Sequence, residues 1–283
     1  MTRLTENDIQ HIRRRMALHD EELTSQTGYG LAGLAMLAAG GDSRFLKRLH
    51  TARVGIIPLT TGQGIIGGFS DSVEAILSYI GMDCFVTDQP DAAGMAEAVE
   101  RGAGQIFIAD DLTCTMIDLH AHCSVENSAC TGRAFAAALA ARAGDLHHRS
   151  VTVLGAGVVG RDGAEFLRGR GADIVIYDCD PARTEAFRGR SHFYLAGSLD
   201  EALAASNLYL EATTAPDLIG LDQVDAETII AAPGIPCGVS PAVMARHAQQ
   251  VIHDPLELGV AAMACTLQAE AALHLFDENQ KIG

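Results

Sequence analysis

Ile9, Ile12 and Met16 recur at the three- and four-residue spacing that aligns one face of a helix, while Arg13, Arg14, Arg15, Glu21 and Glu22 take the other faces. Thr5 with Asp8 three positions on has the form of a capping box, which places a helix start there. The first 50 or so residues read as helical throughout. The apolar stripe is narrow and buries roughly a few kcal/mol, so this segment reads either as a frayed N-terminal helix or as a lid that docks reversibly. From Arg53 the pattern changes. Short buried runs at 53–58, 84–87 and 105–109 predict strands, with helices between them at the period of Val73, Ile76, Leu77 and Ile80 and over 91–101. That β-α-β-α-β order predicts a small parallel sheet. An Ala-rich helix over 133–143 ends at Gly144, and the charged turn 145–149 is the expected domain boundary. A second α/β run follows, with strands over 151–154, 173–177, 208–211, 228–231 and 250–252 and a helix over 158–169. The last Ala-rich helix, 259–277, is expected to fold back over the first domain, by analogy with doubly wound dehydrogenases. The fold class is therefore α/β. Residues 1–148 are expected to form a smaller helical and α/β substrate domain with the N-terminal helical lid, and 149–283 a C-terminal Rossmann domain, marked as dinucleotide-binding by the glycines at 155, 157 and 160.

Composition narrows the function classes. The 36 Asp and Glu outnumber the 20 Lys and Arg, a net charge of −16 that repels phosphate backbones and anionic lipid surfaces. Neither nucleic acid nor membrane is an expected partner. Residues 1–20 alternate charged and apolar side chains without the apolar run of a secretory leader. The 7 cysteines are odd in number, widely spaced and free of Cys-x-x-Cys pairs, as in a reducing cytoplasm. His120, His122 and Cys123 lack a second ligand pair at zinc spacing, so no metal is expected.

The strongest chemical signal is Gly155-Ala-Gly157-Val-Val-Gly160, directly after a strand and opening a helix. Gly155 permits the tight turn, Gly157 lets the backbone approach a pyrophosphate, and Gly160 allows close packing of helix on strand. Asp178 ends the next strand 18 residues beyond Gly160, where a carboxylate accepts from a ribose 2′-hydroxyl and repels a 2′-phosphate. With Asp180 nearby and no Arg at 177–180, NAD is expected over NADP. The loop 60–68 carries four glycines but no Lys-Ser/Thr ending, which excludes a nucleoside-triphosphate loop; its amides can meet a carboxylate, or it is simply a flexible turn. Asp110 and Asp111 follow the third strand, and alternation along an extended chain predicts that at most one faces the cleft. That acid can hold an ammonium or act as a base, although both acids also read as solvated turn residues, or one as the cap of a helix from Thr113 onward. Cys237, near the nicotinamide end, reads either as a nucleophile or as packing.

Taken together, VGIIPLTTGQGIIGGFSDSVEAI (54–76), FVTDQPDAAGMAEAV (85–99), ADD (109–111), CTG (130–132), GAGVVG with YDCD (177–180), EAT (211–213), PGIPC (233–237) and DPLELG (254–259) resemble the pyrrolysine synthase family. The similarity runs from Val54 to Met263, with an echo in Leu4-Thr5. It implies NAD-dependent oxidation of 3-methyl-D-ornithyl-N6-L-lysine at the terminal ornithine amine carbon, with capture by the α-amine and loss of ammonia to close a pyrroline ring. Asp110 matches the family carboxylate central to activity, receiving an ammonium and relaying protons. Thr61 stands where relatives commonly carry Ser, and Leu4 matches a substrate contact on the mobile N-terminal helix. The expected cofactor contacts are Gly155, Gly157, Val158, Val159, Gly160, Asp178, Cys179, Ala212, Thr213, Pro233 and Gly234. EATTAP lacks the Cys familiar after EAT, residues 125–129 differ, and the chain is longer beyond about Thr266. The implied protein is cytoplasmic, with a small-molecule substrate and a homodimer as the expected assembly. Two alternatives remain: a general amino-acid or ornithine-type dehydrogenase or cyclodeaminase, which would accept free amino acids, and a non-catalytic NAD-sensing module, which would bind NADH without turnover.

Overall fold

The computed structural model describes residues 4–41 and 53–282, with side chains to His274. Residues 42–52 of the expected N-terminal helical stretch and its junction lie outside the described residues. Helices α1 (Glu6–Ile9), α2 (Ile12–Thr27) and α3 (Leu31–Ala38) come first. The Thr5 amide and hydroxyl both donate to Asp8 Oδ2 at 2.7 Å, so the capping box forms where the spacing placed it. The chain breaks at Gln10 and His11, and α2 then buries Ile12, Met16, His19 and Leu23.

Five strands make the first sheet: β1 (Arg53–Ile57), β2 (Asp83–Val86), β3 (Gln105–Ala109), β4 (Cys114–Asp118) and β5 (Cys123–Glu126), in the order β2-β1-β3-β4-β5. Helices α4 (Phe69–Tyr79) and α5 (Asp91–Glu100) connect the first three strands, which pair in parallel as the β-α-β-α-β order requires. The sheet is nevertheless mixed. β4 and β5 return antiparallel, with Ala109 opposite Cys114 and Thr115 opposite Glu126. A hairpin needs only a short turn and no crossover helix, and these strands alternate buried with less buried positions without the apolar runs that predicted β1 to β3. Helix α6 (Asn127–Ala143) then starts six residues before the expected position, because the Glu126 carboxylate caps it, accepting from the Ser128 and Ala129 amides at 3.0 and 3.4 Å.

The second sheet is parallel throughout: β6 (Ser150–Leu154), β7 (Asp173–Tyr177), β8 (Phe193–Leu195), β9 (Leu208–Glu211), β10 (Ile229–Ala231) and β11 (Val251–Ile252). Its order, β11-β10-β9-β6-β7-β8, is the 3-2-1-4-5-6 arrangement of the doubly wound dinucleotide fold. Helices α7 (Val158–Gly169), α8 (Pro181–Thr184), α9 (Leu199–Ala204) and α10 (Pro241–His247) complete this half. The last helix, α11 (Glu257–Ile282), does fold back, packing on α3, α6 and β4 and β5 of the first sheet.

α6 is the seam between the halves. Its buried Ala134, Ala136, Ala137 and Ala138 keep it thin, and a methyl at Gly132 would strike the Val159 carbonyl of α7, while one at Gly163 would lie 2.9 Å from the Gly132 carbonyl. A second tie joins α2 to the start of α11. His19 Nε2 lies 3.3 Å from Asp254 Oδ2, and Asp254 also accepts from the Leu258 amide at 3.2 Å. Burial alone would lower the His19 pKa, but Asp254, Glu257 and Glu22 raise it. Glu257 beside them is pushed up to about 7, by burial first and then by the Asp254 charge.

Because the fold raises the Glu257 pKa, its proton stabilises the native state fully below the ordinary glutamate range, and that contribution disappears as pH rises toward about 7. His19 acts in the same direction. Glu257→Gln should therefore flatten the decline in urea-unfolding stability between about pH 5 and about pH 8, by roughly 1–3 kcal/mol; an unchanged slope would remove Glu257 from this linkage.

Candidate active site

The carboxyl ends of the parallel strands in both sheets open onto one cleft of about 550 Å³. Open α/β sheets offer their loops and helix N-termini at this edge, where ligands bind.

On the second sheet, the chain leaves β6 at Leu154 and turns through Gly155-Ala156-Gly157 into α7. Gly155 holds φ +92°, and a side chain there would sit 2.6 Å from the Ala212 carbonyl oxygen. A methyl at Gly160 would collide with the Gly155 carbonyl, so glycine is what lets α7 begin so close to the strand. Beside Gly157, by contrast, no protein atom lies within 4 Å of a Cβ position. Open space thus faces the first amides of α7, the environment a pyrophosphate requires. Gly155, Gly157, Val158 and Val159 line the cleft, with Gly160 packed beneath.

Asp178, just past β7, accepts from the Ala156 amide through Oδ2 at 2.8 Å and from the Asp180 amide through Oδ1 at 2.9 Å, tying the strand end to the glycine turn. The exposed Cys179 lines the cleft next to it. Asp180 instead caps α8, accepting from the Ala182 amide at 3.0 Å. Inspection of 177–180 alone misses Arg183, which reaches back from α8 to within 3.8 Å of Asp178 Oδ2 and 3.6 Å of Asp180 Oδ2. It is the one basic side chain among the described residues of the cleft. Ala212 and Thr213 after β9, with Pro233 and Gly234 after β10, line the same wall further along.

The first domain supplies the opposite wall. The glycine-rich loop after β1 is anchored by carboxylates: the Thr60 amide donates to Asp91 Oδ1 at 2.8 Å and the Gln63 amide to Asp111 Oδ2 at 2.7 Å. Glu6 of α1 occupies the space a side chain at Gly67 would need. This contact seats the N-terminal segment on the loop, and Leu4 and Thr61 line the cleft together with Ile65, Ile66 and Phe69.

Asp110 and Asp111 both line the cleft, contrary to the expectation of at most one. Strand β3 stops at Ala109, so the two acids sit in a turn where alternation no longer applies. Asp110 Oδ1 accepts from the Leu112 and Thr113 amides, each at 2.8 Å. The Thr113 amide, then the Leu112 amide, hold its carboxyl below the usual carboxylate range. It is ionised at neutral pH. Its Oδ2 takes no hydrogen bond among the described residues. Cys237 stands apart, lining a smaller neighbouring cavity with Asp8, His253 and Pro255 rather than the main cleft. No group of three or more His, Cys, Asp or Glu side chains is arranged to hold a metal among the described residues.

A doubly wound dinucleotide-type sheet facing a smaller sheet across such a cleft defines a dehydrogenase of the Rossmann class. Residues 125–251 match the family described as Alanine dehydrogenase/PNT, C-terminal domain. The solved NAD complex of quinate dehydrogenase from Corynebacterium glutamicum shares the fold, with a TM-score of 0.52 at 14% identity over 81% of this chain and 99% of that one. Residues 8–122 match the family described as Pyrrolysine biosynthesis protein PylD, N-terminal domain. Pyrrolysine synthases from Methanosarcina barkeri (strain Fusaro / DSM 804) and Methanosarcina acetivorans are each 33% identical over 263 residues, spanning 93% of this chain and 97% and 98% of theirs. The chain belongs to the pyrrolysine synthase family, and it is a dehydrogenase of pyrrolysine biosynthesis.

The Asp111 anchor carries a direct test. Asp111→Ala should raise amide hydrogen exchange across residues 61–64 about tenfold while costing about 1 kcal/mol of global stability. Unchanged exchange in the loop would show that Asp111 does not hold it.

Proposed function

We propose that this chain forms L-pyrrolysine from 3-methyl-D-ornithyl-N6-L-lysine with NAD as oxidant. The observation that carries the reading is the placement of the ionised Asp110 across the cleft from the loops that follow β9 and β10. Residues 149–283 would hold the dinucleotide: the amides beside Gly157, Val158 and Val159 would take its pyrophosphate, Asp178 its ribose hydroxyls, and Ala212, Thr213, Pro233 and Gly234 would border its nicotinamide end. When bound, NAD accepts the hydride from the terminal ornithine amine carbon. Residues 1–148 orient the substrate, with Thr61 and Leu4 as contacts and the apolar Ile65, Ile66 and Phe69 excluding water around the carbon chain.

Asp110 pairs with the terminal ammonium, which gives up a proton to solvent before the hydride leaves, and then with the positive charge that develops as the neutral amine carbon becomes an iminium. Two backbone amides already spend Oδ1 and favour the charged form, which suits charge pairing better than storing a proton. The substrate α-amine attacks the iminium carbon, a C–N bond forms, and the C–N bond to the terminal nitrogen breaks to release ammonia and leave the cyclic imine. A cytoplasmic location belongs to the same reading; no helix among the described residues is long and apolar enough to cross a membrane.

Mixing protein, NAD and the synthetic substrate should yield NADH and ammonia, with the cyclic imine identified by mass spectrometry; NADH binding without turnover would instead favour the sensing module. Asp110→Asn should leave NAD affinity intact and lower kcat by about a hundredfold or more, and an unchanged kcat would remove Asp110 from the chemistry. Asp178→Ser should weaken NAD by about tenfold and narrow its kcat/KM advantage over NADP; a fixed ratio would place ribose recognition elsewhere.

A further inference from the structure

Glu211 ends β9 and is fully buried, and no role follows for it from the fingerprint, the substrate loop or Asp110. Its two carboxylate oxygens serve two different loops. Oε1 accepts from the Thr213 amide at 2.9 Å and the Thr213 hydroxyl at 2.6 Å, while Oε2 accepts from the Gly238 amide at 3.0 Å. Its main-chain carbonyl accepts from the Gly234 amide at 3.3 Å. The loop through Ala212, Thr213 and Thr214 and the loop through Pro233, Gly234 and Ile235 both line the cleft.

The second loop is built around this side chain. A methyl at Gly234 would lie 2.7 Å from Glu211 Oε2 and 2.5 Å from the Thr213 carbonyl oxygen. At Gly238 it would run into the carboxyl carbon, with both carboxylate oxygens 2.7 Å away. Glycine at these two positions lets the loop close onto the carboxylate. Burying a carboxylate is costly, and an apolar side chain of similar size would fill the same volume without that cost. What an apolar residue cannot do is accept from both loops at once. Burial pushes the Glu211 carboxyl above the ordinary glutamate range, opposed by the Thr213 hydroxyl and amide, the Gly238 amide and the charge of His253, whose Nδ1 bonds to the Ala232 carbonyl at 2.6 Å.

We infer that Glu211 is the positioning residue that holds the two loops against which the nicotinamide end of the dinucleotide rests, and that it thereby sets the geometry of hydride transfer. This rests on the NAD reading of the cleft. The adenosine end has separate anchors, Asp178 and the glycine turn, so disturbing Glu211 should split the two ends of the cofactor.

The test compares ADP-ribose, which lacks only the nicotinamide, with NADH. Glu211→Gln keeps the shape but turns one acceptor into a donor facing a donor. It should leave the ADP-ribose Kd within about twofold, weaken NADH by about tenfold, and slow single-turnover hydride transfer by about tenfold to a hundredfold, with a larger isotope effect from deuterated substrate. Gly238→Ala displaces the same loop without changing any charge and should reproduce the pattern, which keeps the test decisive if Glu211→Gln does not fold. Equal loss of ADP-ribose and NADH affinity would reveal a general structural role and overturn the inference, as would wild-type binding and transfer rates. Wild-type protein that binds NADH but never turns over would defeat the proposed function instead, with the ADP-ribose and NADH comparison still deciding the role of Glu211.

Discussion

Gly132 and Gly163 bring helices α6 and α7 together with no side chain between their backbones. The rest of the molecule depends on that contact. α6 leaves the first sheet through β5 yet packs mainly on the dinucleotide half, against α7, β9 and β10, and it also supports α3 and α11. One thin, Ala-rich helix is thus the common floor of both halves. Its closeness to α7 holds the carboxyl ends of the two sheets toward each other, so the loops from each border a single cleft. Side chains of ordinary size along this seam would push the sheets apart and separate Asp110 from the glycine turn.

Carboxylates do much of the local shaping around that cleft. Glu126 caps α6, Asp91 and Asp111 tie down the loop after β1, Asp178 holds the glycine turn, and Glu211 joins the loops after β9 and β10. Each satisfies backbone amides that would otherwise lack partners in an irregular segment. The acidic composition therefore has a structural meaning. Asp110 combines both kinds of use: one oxygen fixes the turn after β3, and the same hydrogen bonds keep the group charged at the edge of the cleft. Arg183, the cation among the described residues of the cleft lining, lies between Asp178 and Asp180, so its charge is met within the protein at the glycine-turn end of the cleft.

Elements with strong periodicity or local stereochemistry were legible from the chain alone. The boundaries of β3, β7 and β9, the capping box at Thr5, the turn from β6 into α7 and the return of the last helix all follow from hydrophobic period, turn chemistry and known packing of doubly wound folds. β4 and β5 were not legible as strands: they alternate, burying Cys114 and Met116 and then Cys123 and Val125, but they lack the apolar runs that mark β3, β7 and β9. Glu211 and His19 escaped for another reason. Each is a polar residue whose meaning comes from a partner 27 or 235 residues away, a separation no local window spans. An acidic end to the otherwise apolar run LYLE, followed by Gly234 and Gly238, is the signal that points to the first.

Sequence by itself determined the β-α-β-α-β start of the first sheet, the strand–turn–helix fingerprint of the second and the family, because those depend on spacing within one strand, turn or helix and on strings that match in order. Tertiary structure alone decided that Asp110 and Asp111 share the cleft, that Arg183 turns back to Asp178, and that one buried carboxylate clamps two loops. The first two depend on where β3 stops and how the chain turns back through α8, and the third on how closely segments 27 residues apart approach one another, a distance set by the packing of helices and sheets.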